Sequence, residues 1–267
     1  MDVFQTLILG LVQGLTEFIP ISSSGHLVIG QHFFIGESNH LFLEWINIGT
    51  LLALLVYFRK KILQVAKDCI QNRDYRLARN IILTALPAGI VGYLLADFID
   101  SVSFFGSLVT VTVTLALVGF IMVILERLPK ASSVQSLDTL SAKRALIIGT
   151  VQVAALIPGV SRSGSTIIAG RIMGLKPALA AEYSFLASLP IMIGVTIKLF
   201  ASASDRQYFI DNGAMLVLSN GVAFLSGLIA VGFLMNYLSR HGLAVFGWYR
   251  IGLASVLAII LLIQSVE

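Results

Sequence analysis

The sequence predicts an all-α polytopic membrane protein, built as an inverted-topology repeat with two re-entrant helical hairpins and six full transmembrane spans. Three observations predict it. The 267 residues are 57% hydrophobic and only 12% charged, with a mean hydropathy of +0.92, whereas a soluble domain carries about twice that share of charge. Apolar stretches near the roughly 20 residues that cross a bilayer recur along the chain. Two further apolar stretches are interrupted by Pro, Gly and Ser, and the two interruptions match each other. All of this reads as one integral membrane domain over 1–267, with repeat one at about 1–126 and repeat two at about 140–267.

In chain order, "MDVFQTLILGLVQG" has no basic n-region and no small-residue cleavage site, so it is read as the start of the first element and not as a removable signal. That element, hairpin 3–35, is broken by "FIPISSSGH". Crossings follow at 41–58, 80–98 and 104–125. Hairpin 145–175 is broken by "LIPGVSRSGST", and crossings at 178–200, 213–236 and 251–265 complete the chain. The last is short and needs flanking residues or local thinning to cross. Trp45, Trp248 and Tyr249 are assigned to the aromatic belts at the membrane surfaces. A single cysteine, Cys69, excludes an internal disulfide and a cysteine-based metal cage.

Lys and Arg set the orientation. The 59–79 loop holds Arg59, Lys60, Lys61, Lys67, Arg73, Arg76 and Arg79; 126–144 adds Arg127, Lys130, Lys143 and Arg144; 237–250 adds Arg240 and Arg250. The alternate loops are nearly bare: 99–103 has none and 201–212 only Arg206. The basic loops are therefore cytoplasmic and both termini lie outside. The net charge of +4 follows from this loop bias and does not call for nucleic acid binding. Each loop falls on its expected side only if each broken segment enters and returns on one face, the first from outside and the second from inside.

The two breaks align without a gap at an offset of 139 residues: Gly10, Val12, Gln13, Ser22, Ser24 and Gly25 match Gly149, Val151, Gln152, Ser161, Ser163 and Gly164. Downstream, Glu44 resembles Glu182 with a shift of one. Discontinuous elements of an inverted repeat meet near the midplane, and non-helical backbone at that depth must be buried in protein or line a wet cavity. The breaks are thus expected to face each other across a polar pocket.

A charge at the bilayer centre costs about 2.5–3.5 kcal/mol even on a lenient scale, so Glu17 and Arg162 need partners or water. Gln13 and Glu17, spaced i, i+4, project from one helix face. "SSSGHL" and "SRSGSTII" each open a half-helix whose N-terminal N–H groups and hydroxyls suit phosphate, and Arg162 adds a fork of donors matched to phosphate oxygens. Ser22, Ser24, Ser161, Ser163, Gly164 and Thr166 are the candidate substrate contacts. Glu17 repels a bare diphosphate, which points to a divalent cation held by Glu17 and Gln13 together with substrate oxygens. Ser23 and His26 are spaced to act as nucleophile and base, or His26 activates a water or protonates the leaving group. Ser and Gly also serve close helix packing in membranes, and Glu44 and Glu182 either line the pocket or end a span.

"VQGLTEFIPISSSGHL" together with "PGVSRSGSTI" resembles the undecaprenyl-diphosphate phosphatase family, the integral-membrane bacitracin-resistance type, and the resemblance covers essentially the whole chain, including "EYSFLASLP". The resemblance implies hydrolysis of undecaprenyl diphosphate to the monophosphate carrier lipid and inorganic phosphate, feeding cell-wall synthesis. It implies a site opening to the outer, periplasmic face of the bacterial cytoplasmic (inner) membrane, dependence on Mg2+ or Ca2+, membrane lipid contacts and often a homodimer. It assigns Glu17 as the acidic residue, Ser23 as nucleophile or phosphate ligand, His26 as the motif histidine and Arg162 as the grip on the diphosphate. One departure is that Gln13 stands where some members have glutamate, so a mechanism needing two carboxylates is in doubt here. The alternative is a transporter or flippase of prenyl phosphate lipids, since inverted repeats are also transporter architecture; a carrier needs charge recognition but no nucleophile or base.

Overall fold

The computed structural model describes residues 2–30, 32–33, 40–128 and 132–265. They are helical nearly throughout, and among the described residues the one β-type pairing is an isolated bridge between Val134 and Leu175. The helices are α1 (Val3–Phe18), α2 (Ser23–Gly30), α3 (His40–Tyr57), α4 (Arg59–Gln71), α5 (Arg76–Leu94), α6 (Ala96–Ser101), α7 (Leu108–Arg127), α8 (Ala142–Gln152), α9 (Arg162–Ile172), α10 (Pro177–Ala201), α11 (Ala203–Leu238) and α12 (Ala244–Gln264). Five of them, α5, α7, α10, α11 and α12, are long and apolar enough to cross a membrane; α3, which bends by 69° into α4, makes six. The protein is a multi-pass membrane protein. Side chains such as Tyr93, Ile197, Ile229 and Leu262 stay exposed on its flanks, as a lipid-facing surface requires.

Four sequence expectations need correction. The 59–79 stretch is largely helix: "RKKILQVAKDCIQ" contains no Gly or Pro and forms α4, which buries no residue, and its Lys, Leu and Gln favour helix. The 213–236 span begins ten residues earlier, because Ser202 caps α11 by accepting from the Asp205 N–H. Arg206 therefore sits on α11 and donates to the carbonyls of Phe200 and Ala201. The short last span is a 21-residue helix that begins at Ala244, so Arg250 lies inside α12 and not in a loop. Trp45, assigned to a belt, is fully buried and packs edge-on against Phe200 at 5.0 Å.

Both broken stretches end one helix and start another. Asp2 and Gln5 form a capping box on α1, which ends at Phe18 before Pro20; α2 opens at Ser23. In the second stretch α8 passes into a short 3-10 turn over Val153–Leu156, and α9 opens at Arg162. Ser22 and Ser161, equivalent at the 139-residue offset, both take positive φ, 78° and 76°, a region costing about 1–3 kcal/mol for a side-chain-bearing residue. Each reuses its hydroxyl in the same way: Ser22 Oγ accepts from the Gly25 N–H at 3.2 Å, and Ser161 Oγ accepts from the Gly164 N–H at 3.0 Å. Those bonds hold the chain in the turn that starts each new helix.

Close helix contacts fix where the breaks sit. Helix α1 lies against α11, and α8 against α5. A Cβ on Gly14 would come within 2.5 Å of the Ala223 carbonyl oxygen, and one on Gly10 within 2.5 Å of that of Ser219. Small residues let membrane helices approach this closely. Gly14→Ala is expected to lower the stability of the detergent-solubilised protein by about 1–3 kcal/mol, the usual penalty of overpacking against atoms that cannot yield. Gly89→Ala, where a Cβ meets nothing within 4 Å, should cause no loss; thermal unfolding of the two variants side by side checks this.

Candidate active site

At the end of α1, Gln13 and Glu17 lie one turn apart on a buried face, as i, i+4 spacing demands. Gln13 is 1% exposed. Its Nε2 donates to Glu17 Oε2 at 3.2 Å and to Asn47 Oδ1, from α3, at 2.6 Å. Asn47 is held in turn by its own Nδ2, which donates to the Leu43 carbonyl at 2.9 Å. A carboxylate only accepts hydrogen bonds, and the Gln13 amide can donate to it where a second carboxylate could not. Glutamine at 13 is therefore no weakened second acid: it orients Glu17 and adds no like charge one turn away.

Glu17 gathers the site. Its Oε2 also accepts from Ser23 Oγ at 2.6 Å, and its Oε1 accepts from Arg162 Nη2 at 2.5 Å. The first break thus contributes a carboxylate and a hydroxyl, and the second contributes the guanidinium. Ser163 Oγ adds a bond to the Glu17 carbonyl at 3.3 Å. The Glu17 and Arg162 side chains are 12% and 18% exposed; such charge-assisted pairs are short and strong. Ser23 and Arg162 occupy equivalent positions at the 139-residue offset, while Leu156 stands where the second repeat would carry the equivalent of Glu17. One acid from the first broken stretch and one cation from the second make a single asymmetric centre.

The remaining expected contacts are distributed around this centre. Ser22 and Ser161 cap α2 and α9, and each shares a hydroxyl contact at 3.2 Å with Ser24 and Ser163 respectively. The Gly164 N–H is taken up by the Ser161 cap. Thr166 is buried and points into the bundle, with its hydroxyl 2.5 Å from that of Ser184 on α10. His26 is not brought to Ser23. Its Nδ1 lies 2.7 Å from the Ser22 carbonyl oxygen and its Nε2 lies 2.8 Å from the Tyr249 hydroxyl, with the two rings stacked. A carbonyl only accepts, so Nδ1 carries a proton, and in the neutral imidazole Nε2 accepts from Tyr249. Glu182 pairs with Lys61 at 3.9 Å, apart from the Glu17 cluster.

Three residues in or beside this arrangement were missed from sequence. Asn47 was a signal available in principle, as an amide inside an otherwise apolar crossing. Tyr249 was read as a belt residue, and although half exposed it holds His26. Arg250, counted among loop charges, is fully buried.

Among the described residues no three His, Cys, Asp or Glu side chains cluster as a metal site would. The oxygen donors around Glu17 nonetheless suit a hard cation, since magnesium binds through one or two carboxylates plus substrate phosphate.

A family model described as "Bacitracin resistance protein BacA" matches residues 6–256. The chain is 35% identical over 263 residues to "Undecaprenyl-diphosphatase 2" of Paramagnetospirillum magneticum, covering 97% of this chain and 99% of that protein. It is 39% identical over 255 residues to "Undecaprenyl-diphosphatase 2" of Pseudomonas fluorescens, covering 94% and 91%. It is 38% identical over 264 residues to "Undecaprenyl-diphosphatase 1" of Clostridioides difficile, covering 96% and 95%.

Proposed function

The chain belongs to the bacitracin resistance protein BacA family, and we propose that it hydrolyses undecaprenyl diphosphate to undecaprenyl phosphate and inorganic phosphate, recycling the carrier lipid for cell-wall synthesis. The observation that carries this reading is the pair of bonds on Glu17: Ser23 Oγ on one carboxylate oxygen and Arg162 Nη2 on the other. A nucleophile hydrogen-bonded to its base, beside a donor fork for phosphate, is the arrangement that phosphoryl transfer needs.

In this mechanism the terminal phosphoryl group lies against Arg162, which shifts from Glu17 toward the phosphate oxygens. Ser23 Oγ attacks the terminal phosphorus as its proton passes to Glu17 Oε2, and the bond to the bridging oxygen breaks. The leaving group is a phosphate monoester, which departs as an anion without a proton donor. Water then attacks the seryl phosphorus and the bond to Ser23 Oγ breaks, with Glu17 returning its proton to that oxygen and both water protons leaving with the inorganic phosphate. His26 stands outside the proton path and fixes α2 through Ser22 and Tyr249. Where a magnesium or calcium ion is bound, Glu17 would hold it together with substrate oxygens, the Gln13 amide turning its oxygen in place of the N–H it now presents to Glu17, and the ion would screen the phosphate charge.

The matched breaks, with like positive φ and like hydroxyl caps at Ser22 and Ser161, support an inverted-topology repeat, with 3–35 and 145–175 re-entrant and six full crossings around them. The charge asymmetry puts the basic loops on the cytoplasmic side, and the family resemblance implies a site opening to the periplasmic face of the inner membrane. The prenyl chain then has an apolar groove of about 790 Å³ along α7, lined by Phe104, Val109, Val113 and Thr114. Thr114 donates to the Pro158 carbonyl at 2.8 Å, which joins this groove to the second break. A carrier for the same lipid would have no use for a hydroxyl held on a carboxylate.

Protein purified in detergent and given a long-chain prenyl diphosphate with magnesium should release phosphate, and a chelator should suppress that release. Detergent removes the two compartments that transport requires, so absence of phosphate release would overturn the hydrolytic reading. Release undiminished by the chelator would remove the cation from it.

A further inference from the structure

Among the described residues, Arg250 is the largest charged side chain to be fully buried. Every hydrogen bond its guanidinium makes in the described structure goes to a backbone carbonyl. Nη1 donates to Pro20 at 3.2 Å, and Nη2 donates to Gly159 and, at 3.2 Å, to Val160. Nε is buried without a partner. Pro20 belongs to the first break and Gly159 and Val160 to the second, while Arg250 itself comes from α12. One planar fork therefore ties together the two breaks that flank Glu17 and Arg162. Room for it is made by α7, where a Cβ on Gly119 would lie 3.0 Å from the Arg250 Cβ.

The carbonyls concerned explain why a cation is placed here. Interrupted helices leave carbonyl oxygens without intrahelical donors, and inside a membrane water is not there to satisfy them. Arginine has five N–H donors in a fixed plane, so it can serve several acceptors at set distances, which lysine cannot. The sequence distances are short: Pro20 stands three residues from both Glu17 and Ser23, and Gly159 and Val160 stand three and two residues before Arg162. Moving either carbonyl moves the group that does the chemistry.

We infer that Arg250 is a positioning residue for the phosphate site, setting the separation of the Glu17–Ser23 and Arg162 halves by clamping the two break backbones from α12. This rests on the hydrolytic reading above. The test uses full-length protein in detergent and compares Arg250→Lys and Arg250→Met with wild type, alone and in an Arg162→Lys background. A misplacement of about 1 Å can cost about 100-fold in rate, so monodisperse Arg250→Lys should lose roughly 10- to 100-fold in kcat, and Arg250→Met more. Because the clamp acts through Arg162, adding Arg250→Lys to Arg162→Lys should cost less than about threefold further, a coupling that independent sites do not show. Equal losses in both backgrounds, unchanged kcat in folded Arg250→Lys, or loss of folded protein in both Arg250 variants would each overturn the inference and leave Arg250 a packing residue. Failure of the wild type to release phosphate would instead overturn the hydrolytic reading, so the two failures are distinct.

Discussion

Glu17→Gln is expected to reduce phosphate release by about 10³- to 10⁴-fold while the protein still folds and elutes as a single species. Two losses combine. The amide cannot take the proton that Ser23 Oγ now shares with Glu17 Oε2 at 2.6 Å, and a positioned general base contributes about 10²–10⁴ in rate. The substitution also leaves Arg162 facing a neutral group across a contact of 2.5 Å. Removing one partner of a well-buried ion pair costs about 3–5 kcal/mol; Glu17 and Arg162 retain some exposure, so the stability loss should be smaller. Glu17→Asp separates the effects: it keeps the charge beside Arg162 but shortens the reach to Ser23 by one methylene. It should therefore retain stability better than activity. Steady-state phosphate release normalised to folded protein, with thermal unfolding measured on the same sample, provides the check. Near-wild-type turnover in Glu17→Gln would remove Glu17 from the chemistry altogether.

The breaks carry most of what was legible in the sequence. Pro, Gly and Ser inside apolar stretches announce an interruption wherever they fall, and the 139-residue match marks the interruption as built twice. Ser22 and Ser161 then adopt similar positive φ and the same cap, each made by the serine hydroxyl and the N–H of a glycine three residues on. What the sequence could not convey depends on which helices come to lie beside the breaks. Asn47 reaches Gln13 only because α3 packs near α1, and Arg250 reaches Pro20 and Gly159 only because α12 crosses behind both breaks. Neither residue lies within a repeated motif. Arg250 was hidden a second way: a lone arginine beside Trp248 and Tyr249 looks like the basic, aromatic end of a span. The opening of α12, "AVFGWYR", has to be recognised as helix before the arginine is seen as buried. The Ser23–His26 pairing failed for a related reason. Helical spacing brings two side chains to one face, but the strongest partner nearby decides where each hydroxyl or ring points. For Ser23 that partner is an anion from α1, and for His26 it is the Tyr249 hydroxyl from α12.

Arg162 is where charge and geometry can be pulled apart. Arg162→Ala should lower kcat/KM by about 10³-fold or more, since a charged donor aimed at developing phosphate charge is among the largest single contributions a site makes. Arg162→Lys keeps the charge but offers a point source in place of a planar fork, and Lys does not reproduce bidentate recognition of a phosphate. If Arg162 serves as a fork, Lys should recover only part of the loss, leaving kcat/KM about 10- to 100-fold below wild type. If it serves only to neutralise Glu17, Lys should restore activity almost fully, because an ammonium group satisfies a single carboxylate oxygen well. The structure favours the fork. Only one nitrogen of the guanidinium, Nη2, bonds to Glu17, and the same nitrogen lies 3.8 Å from Met192 Sδ. Neither contact draws on Nη1 or Nε, so the guanidinium keeps donors beyond those its protein partners use. Those donors are what a tetrahedral phosphate, with oxygens in several directions, can engage and a carboxylate cannot fully use. Phosphate-release kinetics over a range of substrate concentrations for the Ala and Lys variants decide between the two roles, and wild-type kcat/KM in Arg162→Ala would refute both.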